Sequence, residues 1–237
     1  MSRPAAAIST FILAVLFALS PLLSPDFGGF DPDRFPIPQN NPPVQPEGYA
    51  FAIWGPIYLW LMIGLGFGIW KRGTDPAWHA MRLALIPSLA VGAVWLLVAV
   101  NSPVWASILI WVMLVFALIA LFRSPREDGW FAAGPVGLYA GWLSAASCVS
   151  LGLLLAGYGY LEGSTAALLM VFIALVLASG VQSQLRRAPT YGIAVIWALI
   201  GVIVGIAGAA SPAWLIGACV VLAIMAVAFA TWRGARV

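Results

Sequence analysis

The chain has 237 residues, of which 63% are hydrophobic and 8% charged, with a mean hydropathy of +1.01. A water-soluble domain carries roughly a quarter charged residues, so a soluble fold is excluded as the working reading. Eleven Lys and Arg against eight Asp and Glu leave a net charge of +3, but no basic run exceeds two residues, which removes nucleic acid as the reason for the excess.

Apolar stretches at residues 5 to 24, 49 to 70, 80 to 100, 103 to 122, 135 to 156, 165 to 184, 191 to 208 and 212 to 232 predict an all-α, polytopic transmembrane bundle of eight spans. A helix of ~20 apolar residues crosses the ~30 Å hydrocarbon layer with every backbone polar group bonded internally. The first stretch follows Arg3. A signal peptide competes for it, but the stretch is longer than the usual ~7–15 residue apolar core, and Pro21 and Pro25 disfavour cleavage, so a retained helix is expected.

The long connection after Ser24, DFGGFDPDRFPIPQNNPPVQPEG, holds six prolines and does not continue a helix. Its aromatic residues Phe27, Phe30 and Phe35 predict a lid that packs on one mouth of the bundle. The second span then places Phe51, Trp54 and Tyr58 three and four residues apart on one helix face. His79 and Arg82 are expected in the connection before the third span, and a lone histidine without a Cys, His or carboxylate cluster predicts no metal site. Asn101, Ser102 and Pro103 make a tight turn into the fourth span. On the fifth, Tyr139, Trp142 and Ala146 share a face. Cys148 and Cys219 fall inside spans, where they read as packing residues and not as a disulfide.

Three glycine pairs, Gly64 and Gly68, Gly137 and Gly141, and Gly201 and Gly205, have the spacing that lets helix backbones approach closely. Trp70, Trp78, Trp130, Trp214 and Trp232 sit at span ends and are expected in the interfacial aromatic belt. When alternate gaps are assigned to one side, every Lys and Arg except Arg34 collects there, from Arg3 through Lys71, Arg72, Arg82, Arg123, Arg126, Arg186 and Arg187 to Arg233 and Arg236. The other side receives Asp26, Asp31, Asp33, Glu47 and Glu162. This asymmetry predicts that both termini face the cytoplasm. No Asp, Glu, Lys or Arg lies in the middle of a span, which argues against proton- or ion-coupled transport and for binding. Aromatic stripes of this kind pack cores as well as they line ligand sites, and spacing leaves both open.

The segment PEGYAFAIWGPIYLWLMIGLGFGIWK, residues 46 to 71, resembles the second-helix signature of the TspO/MBR family of tryptophan-rich sensory or translocator proteins. Pro46, Gly48, Tyr49, Phe51, Trp54, Tyr58, Trp70 and Lys71 carry the likeness, with Glu47 and Tyr49 in the form of a longer bacterial branch. Trp95 followed by Asn101, Ser102 and Pro103 resembles the family's third and fourth helices. LYAGWLSAASCVS, residues 138 to 150, resembles its P-Y-x-x-W-x-x-x-A-x-x-x-N element: Tyr139, Trp142 and Ala146 match, Leu138 replaces the Pro and Ser150 the Asn. A second family Asn, three before the third-helix Trp, is Gly92 here.

The resemblance implies a five-helix bundle over residues 1–160, with the proline-rich loop 25–48, and a three-helix extension over 161–237. It implies a multi-pass protein of a bacterial inner membrane that binds a tetrapyrrole such as protoporphyrin IX or haem, or a similar planar apolar ligand, in sensing, regulation or transport. No cofactor is required. Carried over by position, the ligand-binding residues are Tyr49, Phe51, Trp54, Tyr58, Trp95, Tyr139, Trp142 and Ala146, and the lid residues are Phe35, Pro46 and Gly48, with Arg34 as the loop's cation for a propionate. Two alternatives stand beside this: a structural subunit of a larger membrane assembly, and light-dependent porphyrin degradation through Trp54 and Trp142. Partners are the lipid bilayer and a small apolar ligand, with a homodimer or a membrane complex as further options.

Overall fold

The structure, a computed structural model, describes residues 1–23, 27–208 and 214–235, with side chains through Trp232. Asp26, Arg236, the side chain of Arg233 and the expected start of the eighth span lie outside the described residues. The helices are α1 (Arg3–Leu19), α2 (Trp54–Arg72), α3 (Pro76–Ala99), α4 (Pro103–Phe122), α5 (Ala133–Gly157), α6 (Gly163–Gln184), α7 (Pro189–Gly208) and α8 (Trp214–Ala235). All eight are long and apolar enough to cross a bilayer once the flanking 3-10 turns of α1 and α2 are included, and no strand occurs among the described residues.

Local chemistry sets where they start. Asp75 caps α3, its Oδ1 accepting from the backbone N–H of Ala77 at 2.8 Å and Trp78 at 3.0 Å, with Pro76 preset in the first turn. The helix therefore begins before residue 80, and Trp78, His79 and Arg82 belong to α3 and not to the connection expected from hydropathy. Ser102 and Pro103 start α4 in the same way, the Ser102 hydroxyl accepting from Trp105 N–H. The second span opens differently from its expected helical face. Gly48–Ile53 is a 3-10 turn and α2 proper starts at Trp54, because Pro56 has no N–H to donate back to Ala52.

The helices close two rings that share α5. In one, α1 packs on α2 and α3, α3 on α4, α4 on α5, and α5 on α2. In the other, α5 packs on α6 and α7, and both of these pack on α8. Buried on both sides, α5 needs small residues where backbones meet: a Cβ at Gly141 would lie 2.9 Å from Ala194 Cβ on α7. The Gly201 and Gly205 pair does something other than the helix packing expected of it. Pro46, Ala50 and Gln45 of the loop lie against it, and Glu47 N–H donates to Gly201 C=O at 3.1 Å.

Hydrogen bonds tie each set of connections to one face. On the Arg-rich face, Arg3 Nη1 reaches Thr74 C=O and Arg187 Nη2 reaches Ser124 C=O. On the opposite, proline-rich face, Arg34 Nη1 reaches Asn101 C=O and Ile37 N–H donates to Gly157 C=O. The Arg-rich face is latched by Asp128. Its carboxylate accepts from Arg72 Nε at 2.6 Å and Nη2 at 3.2 Å, and from Trp78 Nε1 at 3.1 Å. Trp78 is thus fully buried, correcting its placement in the interfacial belt, whereas Trp70, Trp130, Trp214 and Trp232 are exposed at helix ends. An indole N–H beside a carboxylate from a neighbouring loop has a partner that interfacial water would otherwise provide.

Candidate ligand-binding site

Directly beneath the proline-rich face, the first ring holds an aromatic chamber. Trp54 and Tyr58, one helical turn apart on α2, stack with centroids 5.3 Å apart and planes 17° from parallel. Trp54 meets Trp142 of α5 edge to face at 6.2 Å and 84°, and Phe51 meets the same Trp142 at 5.8 Å and 81°. Edge-to-face contact aims the positive ring edge at the negative π-face and fixes the angle between neighbouring indoles.

Two adjoining hollows lie among these rings. The larger, about 260 Å³, is bounded by Phe17, Phe51, Trp54, Tyr58, Trp95 and Met113 among others. The smaller, about 60 Å³, is bounded by Phe30, Pro46, Phe51, Trp95, Trp142 and Ala146 together with Ser150 and Ala198. Phe27, Phe51, Trp95 and Ile110 border both. The loop forms the roof: Phe27 packs edge to face on Trp95 at 5.4 Å, and Phe30 tilts over the same indole at 6.5 Å.

Of the residues expected to touch ligand, Phe51, Trp54, Tyr58, Trp95, Trp142 and Ala146 border a hollow. Tyr139 and Tyr49 do not. Tyr139 is fully buried behind Phe17 and Trp54, its hydroxyl paired with Ser88 Oγ at 2.8 Å. Tyr49 is 46% exposed and packs edge to face on Trp197 of α7. Among the lid residues, Pro46 borders the smaller hollow, Phe35 is buried against Gly157 and Phe30, and Gly48 starts the 3-10 turn at the rim of an outer groove. Arg34 borders neither hollow; its guanidinium is held by Asn101 C=O.

Phe17 of α1 is the central residue that sequence reasoning missed. It contacts Trp54, Tyr58 and Tyr139, all edge to face, with centroids 5.0 to 5.8 Å apart. Its ring occupies the space beside Gly92, where a Cβ would come within 2.9 Å of it. The aromatic ring therefore stands where a larger side chain at position 92 would project. At the other altered position, Ser150 pairs with Ser107 of α4, so the hydroxyl that replaces an amide is bonded between helices.

The polar inventory of the smaller hollow is short. Trp95 Nε1 donates to Ala106 C=O at 2.8 Å. Trp142, 2% exposed, has a buried Nε1 with no hydrogen-bond partner among the described residues. An unpaired buried donor costs about 1–3 kcal/mol. No group of His, Cys, Asp and Glu able to hold a metal ion occurs among the described residues.

Fold and site together define a polytopic helical membrane protein with a capped aromatic chamber at one end of a five-helix ring. A family model described as TSPO-like protein matches residues 6–232, and the chain belongs to that family. The match runs through all eight helices and so includes α6 to α8. No curated protein and no solved structure matches the chain.

Proposed function

We propose that the protein binds a planar, largely apolar small molecule in the chamber beneath its proline-rich cap, and that binding serves sensing, regulation or trafficking at the membrane. The observation that carries this reading is the convergence of three indoles from three helices, Trp54, Trp95 and Trp142, on adjoining hollows roofed by Phe27 and Phe30. A conjugated ring system fits between indole and phenol faces in a cleft with so few polar groups.

Protoporphyrin IX or haem is the ligand that the family resemblance suggests. At about 260 and 60 Å³, each hollow falls below the ~300–1,000 Å³ typical of small-molecule sites. A whole tetrapyrrole therefore enters with the cap raised, and a smaller planar ring fits with it closed. Residues 1–160 supply the chamber except for Ala198 of α7, and the extension over 161–237 also holds its cap from the side through that helix. The protein lies in a bacterial inner membrane with its Arg-rich face in the cytoplasm, an orientation supported by the gathering of Arg3, Lys71, Arg72, Arg123, Arg126, Arg186 and Arg187 at that face.

Titration of the purified protein with protoporphyrin IX in the dark tests the reading. Saturable quenching of Trp emission with a shifted Soret band is expected. Quenching that rises without saturation overturns it.

A further inference from the structure

The inward face of α1 is built from small residues until its last turn. Ala6, Ala7, Thr10 and Ala14 are buried along it, and then Phe17, also buried, sends a phenyl ring into the bundle. Small side chains let helix backbones lie close together, which leaves little room for such a ring at the contact. It fits because α3 carries Gly92 beside it: three atoms of the ring lie 2.9 to 3.1 Å from where a Cβ would stand.

Phe17 is also part of the wall of the larger hollow, together with Trp54, Tyr58 and Met113, whereas Gly92 borders neither hollow. The phenyl therefore stands between Gly92 and the open space. Edge-to-face contacts with Tyr58 at 5.0 Å, Trp54 at 5.5 Å and Tyr139 at 5.8 Å hold the ring, and Ser20 Oγ donates to Phe17 C=O at 2.8 Å in the turn behind it. These ring partners belong to the second and fifth helices and none to the loop, so raising the cap leaves Phe17 where it stands.

Volume decides what such a wall admits. A dry cavity of ~150 Å³ takes a single benzene ring, so the larger hollow, at about 260 Å³, takes two fused rings and not four.

We infer that Phe17 sets the size of ring system that the larger hollow takes: a fused bicyclic aromatic enters fully, and a wider one is stopped at the phenyl. This rests on the proposed ligand chamber and names the residue that selects among its occupants. A tetrapyrrole, wider still, lodges on the cap side of Phe17, and removing the phenyl lets it sink deeper.

Azulene and pyrene, two uncharged planar hydrocarbons that absorb where Trp emits, test it by quenching of Trp emission in nanodiscs. Each probe is compared between variants, so its partition into lipid cancels. Phe17→Ala is expected to tighten pyrene ~10-fold, equivalent to relief of about 1.4 kcal/mol of steric conflict, and to weaken azulene several-fold because the smaller molecule loses a wall. Phe17→Leu is expected to move both probes in the same senses by less, and it carries the test where the Ala variant does not fold. Gly92→Ala presses the phenyl into the hollow; it is expected to weaken azulene ~5-fold with Phe17 present and less than ~2-fold in the Phe17→Ala background. Azulene and pyrene shifting in the same direction in the Phe17 variants, or Gly92→Ala acting equally with and without the phenyl, overturns the inference and leaves the chamber standing. Failure of azulene to saturate the wild type while protoporphyrin IX does so has the same meaning, and failure of both overturns the chamber as well.

Discussion

Gly201 of α7 carries Pro46 of the cap directly on its backbone: a Cβ at position 201 would lie 2.9 Å from Pro46 Cβ and 2.9 Å from Ala50 Cβ. Trp197, one turn earlier, donates its Nε1 to Ala50 C=O at 2.9 Å. The second ring of helices thereby anchors the roof of the first. Gly201→Val forces the loop outward at a cost of about 1–3 kcal/mol. Hydrogen exchange at residues 44–50 is expected to rise in this variant while the amides of α5 keep their protection.

Trp54 and Trp142 are held at a fixed angle by their edge-to-face contact and by Phe51 and Tyr58 around them. Each aromatic contact with a ligand is worth about 0.5–1.5 kcal/mol beyond area burial. Trp54→Leu and Trp142→Leu are each expected to raise the dissociation constant for protoporphyrin IX by ~10-fold, read by Soret titration. Wild-type affinity in both would assign the indoles to packing alone.

Ser88 and Tyr139 form a buried pair in which Ser88 Oγ also contacts Met113 C=O at 2.8 Å. Removing either partner has different consequences. Tyr139→Phe leaves Ser88 with its carbonyl and costs about 0.5–1.5 kcal/mol, whereas Ser88→Ala strands the Tyr139 hydroxyl and costs about 1–3 kcal/mol. The Ser88 variant is expected to unfold at the lower temperature in detergent, monitored by circular dichroism.

Asp128 titrates outside the membrane segments, and its hydrogen bond from Arg72 holds its carboxyl below the usual range. Because the folded value is depressed, the latch contributes fully above the ordinary Asp pKa of ~3.9 and is lost as pH falls through the lowered value. Wild type is therefore expected to melt above Asp128→Asn at pH 6, with the two curves converging below about pH 4.

The helical architecture was legible because hydropathy and chain reach dictate it: every span predicted from residues 49 to 208 coincides with a helix within a few residues. The starts that hydropathy misplaced are those governed by polar chemistry. The Asp75 cap with Pro76 pulled α3 toward the amino terminus, and Pro56 turned the opening of the second span into a 3-10 turn. Trp78 reads as interfacial from position alone because its partner, Asp128, lies fifty residues away.

The chamber was legible where residues repeat at helical spacing on one element. Trp54 and Tyr58 stack, and Trp142 and Ala146 border the same hollow. Phe17 was not, since the outward face of α1, with Ile8, Ile12 and Leu16, is as apolar as the inward face that holds Ala14 and Phe17, and only the missing side chain at Gly92 hints at the space it fills. Gly201 and Gly205 show the converse: a helix-packing spacing that receives a loop.

The account depends on a ligand occupying the space between the indoles, and filling that space tests it most directly. Ala146→Phe places a ring in the smaller hollow, beside Trp142 and beneath Pro46. With helicity and melting temperature matched to wild type, Ala146→Phe is predicted to lose saturable Trp quenching by protoporphyrin IX. A correctly folded Ala146→Phe protein that binds it with wild-type affinity would place the ligand elsewhere and contradict the account.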